Sequence, residues 1–111
     1  MCGFVAIISK NGRPFPEKTL REMTGIIAHR GPDDDGFFFH EDWLSLGFRR
    51  LSILDLSPKG HQPMLSHDGR YAIVFNGEIY NYCEIRSELE KENYHFQSHN
   101  IAQRVLAVGC N

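Results

Sequence analysis

The sequence predicts a layered domain of α/β or α+β class, and three observations carry that reading. Branched or aromatic runs suited to strands lie at residues 5–9, 36–54 and 71–75. Two segments, 17–28 and 82–94, space their apolar residues as helices do, and clusters of Gly, Pro, Asn and Asp separate the runs. Periodicity leaves the order and pairing of the strands open. With 111 residues, 41% hydrophobic and 23% charged, the chain has the size and composition of one domain with a core that needs no disulfide or metal.

The first strand begins almost at once, with Val5, Ile7 and Ile8 set where a partly or wholly buried strand wants them. "NGRPFP" at residues 11–16 ends it with turn formers. In "EKTLREMTGIIA", Leu20, Met23, Ile26 and Ile27 line one helical face, while Lys18, Arg21 and Glu22 can face water. Met23 is therefore expected in the core. "HRGPDDDG" at residues 29–36 reads as an acidic loop stiffened by Pro32. Its three aspartates lack the alternating ligand spacing of a calcium loop and read as solvated.

"GFFFH" and "WLSLGFRRLSIL" form two strands joined by "EDW", a hairpin in which Phe38, Trp43, Leu46 and Phe48 supply packing bulk. "DLSPKGHQP" is a loop, and "YAIVFNGEIYN" starts as a strand that should end near Asn76. Then "YCEIRSELEKENY" sets Tyr82, Ile85 and Leu89 on a helical stripe. Residues 101–109, "IAQRVLAVG", have helical spacing as well.

Charge and composition exclude several classes. A formal net charge of -2 with mixed signs gives no basic field for a nucleic acid and no polybasic helix for a membrane surface. No apolar run reaches spanning length, and no signal-like segment opens the chain, so the expected compartment is the cytoplasm. Cys2, Cys83 and Cys110 are odd in number and widely spaced, which suggests neither a disulfide framework nor a zinc site. The glycine and Lys-Ser/Thr pattern of a phosphate loop is missing.

Cys2 reads in two ways. It is a small apolar residue at the head of a strand, or it is a nucleophile that also carries the α-amino group once Met1 is removed. Gly3 favours the second, because a residue without Cβ lets a ligand approach the backbone beside the sulfur.

Four segments together decide the matter: Cys2-Gly3, "HRGPDD" at 29–34, "RRLSILDLSPKGHQPM" at 49–64 and "FNGEIYN" at 75–81. In that combination the sequence resembles the N-terminal glutaminase domain of glutamine-hydrolysing asparagine synthetases, a branch of the class II (type 2) glutamine amidotransferases. Related synthetases of antibiotic and surface-polysaccharide pathways share the branch, so asparagine biosynthesis is one of several pathways it fits. The resemblance covers about the first nine-tenths of the chain and implies an α+β fold: a partial αββα sandwich of antiparallel sheets, the N-terminal-nucleophile (Ntn) hydrolase architecture.

The resemblance also implies roles. Cys2 is the nucleophile, and its terminal amine collects the thiol proton, since a free thiol is only a few per cent ionised near neutral pH. Asn76 and Gly77 form the oxyanion hole. Arg50, with Arg49 as neighbour only, grips the α-carboxylate of L-glutamine through two directed hydrogen bonds, and Glu78 receives the α-ammonium. Without the resemblance, the Asn-Gly pair reads as a turn and Arg50 and Glu78 as solvated charges. Phe48 stands where this branch often carries histidine.

Two departures follow. After about residue 97 the chain diverges: Ile101 stands in place of a second carboxylate, an aspartate, and Gln103 in place of a glutamate. The domain, assigned to residues 1–111, is also expected to be truncated, with no synthetase domain. The glutaminase reaction needs no cofactor or metal; ATP and Mg would serve only an absent synthetase domain or partner. Exposed sheet faces make a homo-oligomer or a separately encoded second half the expected partner. The function is then glutamine hydrolysis to glutamate and ammonia, with low or absent activity in the isolated chain. The alternatives are a noncatalytic glutamine-binding or regulatory module, and a structural subunit of a split amidotransferase.

Overall fold

The computed structural model describes residues 2–53 and 58–96. The helical reading of 101–109, together with Ile101, Gln103 and Cys110, lies outside them, as do Met1 and residues 54–57 of the motif loop. The described elements run β1 (Gly3–Ile8), α1 (Glu17–Ile26), β2 (Asp34–His40), β3 (Leu44–Arg50), β4 (Met64–Leu65), β5 (Ala72–Ile73) and α2 (Tyr82–Lys91), with 3-10 turns at Ala28–Arg30 and Pro58–Gly60. β1, β3 and β2 form one sheet in that order; β4 and β5 form a second. Every pairing is antiparallel, which settles the class as α+β.

β2 and β3 make the expected hairpin, turning through Glu41 at φ 48°. β1 pairs with the far edge of β3, Gly3 opposite Arg49 and Ile8 opposite Leu44. β3 is thus the central strand, and its residues from Ser45 to Phe48 are all buried. Side chains alternate between faces. One face carries Gly3, Gly47 and Phe37, and α1 lies on it: Thr24 packs on Gly47, Ile27 sits over Gly3, and the Arg21 guanidinium stacks 4.3 Å from the Phe37 ring. The opposite face carries Phe4, Ile8, Leu46 and Phe48. Phe48 is 1% exposed, whereas Phe4 is 48% and Ile8 64% exposed, so this face is closed over β3 and open along β1.

The inward stripe of α1 differs from the expected one. Leu20 and Thr24 are buried, while Met23 is 40% and Ile26 75% exposed. The reason lies in the sheet. Gly47 leaves a hollow that a short side chain fills, so α1 docks through Leu20, Thr24 and Ile27, and the Thr24 hydroxyl has no hydrogen-bond partner among the described residues. Phe48, in the position of the branch's histidine, is core.

Two glycines set how closely segments meet. Gly31 is buried, and a Cβ on it would press into the β3 backbone, 2.5 Å from Arg50 N. A Cβ on Gly36 would collide with the Gln62 carbonyl, which lies against β2. α2 stops in a Schellman arrangement around Asn93 at φ 66°: Tyr94 N–H donates to Leu89 O at 3.0 Å and Asn93 N–H to Glu90 O at 3.1 Å. The helix stripe that reads on to Tyr94 in sequence therefore ends at Lys91.

The β4–β5 hairpin is short, and its turn is held by side chains. Ser66 Oγ donates to Asp68 Oδ1 at 2.7 Å, Arg70 N–H donates to the same oxygen at 3.1 Å, and Arg70 Nε donates to Asp68 Oδ2 at 2.6 Å. The Ser66 hydrogen bond first, then the Arg70 contacts, lower the Asp68 pKa from 3.8 to about 2. The expected strand over 71–75 pairs only at Ala72 and Ile73.

Three predictions follow from this packing and from the hairpin turn. Gly31→Ala should destabilise by about 1–3 kcal/mol, because backbone cannot yield to the new methyl. Gly25→Ala, on an open helix surface with nothing within 4 Å, should stabilise by up to about 1 kcal/mol; urea melts of both variants give the signs. The Asp68 carboxylate is depressed by folding, so its stabilisation is complete above its unfolded value of 3.8 and fades as pH falls through about 2. Asp68→Asn should remove that acid-side dependence from the β4–β5 amide signals in an NMR titration.

Candidate active site

Cys2 precedes β1, and the β1–β3 register brings it beside the end of β3. Leu51 N–H donates to Cys2 Sγ at 3.3 Å, and the thiol faces Leu51 O at 3.8 Å. Cys2 is half-buried.

Two side chains converge on the Cys2 carbonyl. Asn76 Nδ2 donates to it at 2.9 Å across 74 positions of sequence, and Arg30 Nε donates at 3.2 Å. The Arg30 stem also lies over Gly3, where a Cβ would come 3.3 Å from Arg30 Cδ. The glycine beside Cys2 therefore gives room to the arginine that holds the Cys2 peptide.

The "HRGPDD" segment is a scaffold for the same corner. Its 3-10 turn ends on Gly31, whose carbonyl accepts from Arg49 Nε at 2.9 Å. Asp33 N–H donates to Arg50 O at 3.0 Å, and the Asp33 carboxylate accepts from Ser52 N–H at 2.7 Å. Asp33 thus ties both sides of Leu51, the residue that faces the sulfur. Arg49 pairs with Asp35 at 3.4 Å, and Asp34 with His61 at 2.7 Å. Asp33 and Asp35 are exposed, as read, and all three aspartates also serve as structural ties.

Of the residues singled out in sequence, Cys2 and Asn76 are brought into contact. Arg50 is buried, 7% exposed, one residue before Leu51 and opposite Asp34 in the ladder. Gly77 follows Asn76 and is exposed, with the Phe75 ring 3.0 Å from where its Cβ would lie. Glu78 is exposed, and no hydrogen bond or ion pair among the described residues draws it to Cys2. Sequence reasoning assigned no role to Arg30, Asp33 or Gln62, although all three stand inside the motifs it quoted; the motif strings were the available signal.

The half-buried Cys2, the Asn76 amide on its carbonyl and Leu51 on its sulfur thus meet at the end of β3, next to the buried Arg50. The glutamine amidotransferase domain family matches residues 1–110, and the chain belongs to that family. Within it the chain is homologous to glutamine-hydrolysing asparagine synthetases. It is 44% identical over 111 residues to asparagine synthetase [glutamine-hydrolyzing] 1 of Bacillus subtilis, covering 97% of this chain and 17% of that protein. It is 40% identical over 109 residues to a putative asparagine synthetase [glutamine-hydrolyzing] 2 of Methanocaldococcus jannaschii, covering 83% and 21%. It is also 34% identical over 119 residues to amidase chry2 of Gibberella zeae, covering 97% and 18%. The chain thus spans about a fifth of the length of these relatives. The family match runs through residues 101–103. Among the described residues, no helix is long and apolar enough to cross a membrane.

Proposed function

We propose that the chain is a glutaminase module in which Cys2, freed of Met1, hydrolyses L-glutamine to glutamate and ammonia. The observation that carries this is the contact of Asn76 Nδ2 with the Cys2 carbonyl at 2.9 Å, which sets a neutral donor within one residue's reach of the sulfur. In the proposed reaction Cys2 Sγ attacks the γ-amide carbon. The thiol proton passes to the α-amine and then to the departing ammonia, and the developing oxyanion is met by Asn76 Nδ2–H and Gly77 N–H. Water then cleaves the glutamyl thioester and restores the thiol. Arg50 binds the substrate α-carboxylate and Glu78 the α-ammonium. No metal or nucleotide enters this half of the chemistry; ATP and Mg belong to amide synthesis by a synthetase domain or partner, whose product need not be asparagine. The proposed compartment is the cytoplasm, where a free thiol stays reduced.

The open β1 face, with Phe4 and Ile8 exposed, is what a second sheet would cover in a closed αββα sandwich. The proposal therefore includes a further segment, a second copy or a separate synthetase-bearing partner on that face. Ile101 favours a second reading, a glutamine-binding module of low turnover. Glu78 alone then balances the substrate ammonium, and a missing partner for a buried charge costs about 2–5 kcal/mol in binding.

Two predictions test the reading. In an ammonia-release assay the wild-type chain should turn over slowly, Ile101→Asp should raise turnover, and Cys2→Ala should abolish it. The same samples should lack Met1 by intact mass. Robust Cys2-dependent turnover by the unmodified wild type would contradict the role given to Ile101, and retained Met1 in an active sample would contradict the terminal-amine step. Arg50→Ala should weaken glutamine binding by about ten- to a hundredfold, the value of a charge-assisted pair. Equal dissociation constants at matched ionic strength would remove Arg50 from the carboxylate site.

A further inference from the structure

Gln62 is a buried polar side chain that the proposed chemistry does not use. It is 6% exposed, and its amide pairs with both polar groups of one distant residue. Phe75 N–H donates to Gln62 Oε1 at 2.6 Å, and Gln62 Nε2 donates to Phe75 O at 3.2 Å. A neighbouring strand would satisfy Phe75 in this way, but β5 ends its ladder at Ile73, and one side chain replaces the missing strand.

The Gln62 backbone is itself fixed. It rests on Gly36 of β2, where any Cβ would collide with the Gln62 carbonyl. The preceding residue, His61, is tied through Nδ1 to Asp34 of the same strand at 2.7 Å. The line of support therefore runs from β2 through Gln62 to Phe75. The Phe75 carbonyl belongs to the same planar peptide as the Asn76 N–H, so a two-point hold on Phe75 sets the direction in which the chain enters Asn76 and Gly77.

We infer that Gln62 is a positioning residue for the oxyanion donors, holding Asn76 and Gly77 in register with Cys2 by acting as a one-residue strand on Phe75. The inference rests on the reading of Asn76 and Gly77 as the oxyanion hole. It adds that those donors are aimed from β2 and not by their own exposed loop. Loss of the hold leaves Cys2, its Leu51 contact and the access of small reagents in place, and impairs only reactions that use the substrate carbonyl.

The test compares two alkylating reagents at Cys2 of the full chain, with labelling mapped by peptide mass. The diazoketone 6-diazo-5-oxo-L-norleucine presents a carbonyl where glutamine has its amide carbonyl. In its reaction the diazo carbon takes up the thiol proton, the S–C bond forms and N2 leaves. Iodoacetamide alkylates the same sulfur with loss of iodide and makes no use of the donors. Gln62→Leu removes both contacts. Gln62→Glu keeps the acceptor for Phe75 N–H and, as a carboxylate, lacks the donor. The ratio of diazoketone to iodoacetamide rate should fall by about ten- to a hundredfold in Gln62→Leu and by less in Gln62→Glu, with the iodoacetamide rate held within about twofold.

Asn76→Ala separates the inference from its premise. A lowered ratio in Asn76→Ala with an unchanged ratio in both Gln62 variants overturns the inference and leaves the oxyanion reading standing. An unchanged ratio in Asn76→Ala, or no directed labelling of wild type, overturns that reading and the inference with it. A parallel fall for both reagents in the Gln62 variants assigns Gln62 to general stability and overturns the positioning role. Amide hydrogen exchange in the wild-type chain adds a measurement independent of variant folding: Phe75 should exchange slowly, and exchange as fast as an open loop amide would overturn the hold.

Discussion

The register of β1 against β3 is the constraint on which the rest of this structure depends. Gly3 opposite Arg49 is what carries Cys2 to Leu51. A slip of one residue would turn Val5 and Ile7 to the wrong face and move the sulfur away from the end of β3. The register is held where side chains are smallest. Gly47 receives Thr24, Gly3 gives room to Ile27 and Arg30, and Gly31 lets the 3-10 turn lie against the β3 backbone. Helix, turn and sheet can all reach the start of the chain because three positions carry no Cβ.

A second line of support reaches the same point from the other direction. The β4–β5 hairpin is too short to place Asn76 by its own ladder. The motif loop supplies the missing bonds, anchored on β2 by the Gly36 contact and by Asp34. Cys2 is thus approached by one donor set fixed on β3 and another fixed through β2, both strands of a single hairpin. The mutual placement of Cys2 and the Asn76 amide depends on the rigidity of that hairpin, and Phe48, buried at its centre, contributes roughly the 1.5–3 kcal/mol of a buried large apolar side chain.

Elements with strong local signals were legible in the sequence. The β2–β3 hairpin shows in its aromatic runs, α2 in its stripe, and α1 in the Pro-rich turn that precedes it. The inner face of α1 was legible at Leu20 and Ile27 but not at Thr24, because apolar residues at positions 23 and 26 outvote a threonine until the hollow at Gly47 is known. The strand over 71–75 looks continuous because Val74 and Phe75 are good strand residues, yet its partner there is a glutamine side chain, which no periodicity reveals. Cys2, Asn76 and Arg50 stand out in the sequence only as parts of a combination of motifs, and of these the structure brings Cys2 and Asn76 into contact. Arg30, Asp33 and Gln62 act through backbone groups of distant residues, and such a role leaves no spacing signature.

The family and the fold class establish an amidotransferase-type α+β domain; the chemistry assigned to it rests on one sulfur. Acid-quenched mixtures of the chain with saturating L-glutamine, digested and read by mass, report that sulfur directly. The account predicts a glutamyl adduct on the N-terminal peptide, located at Cys2 and released by hydroxylamine as a thioester is. Ammonia release with no adduct on Cys2, or an adduct confined to Cys83, would contradict it.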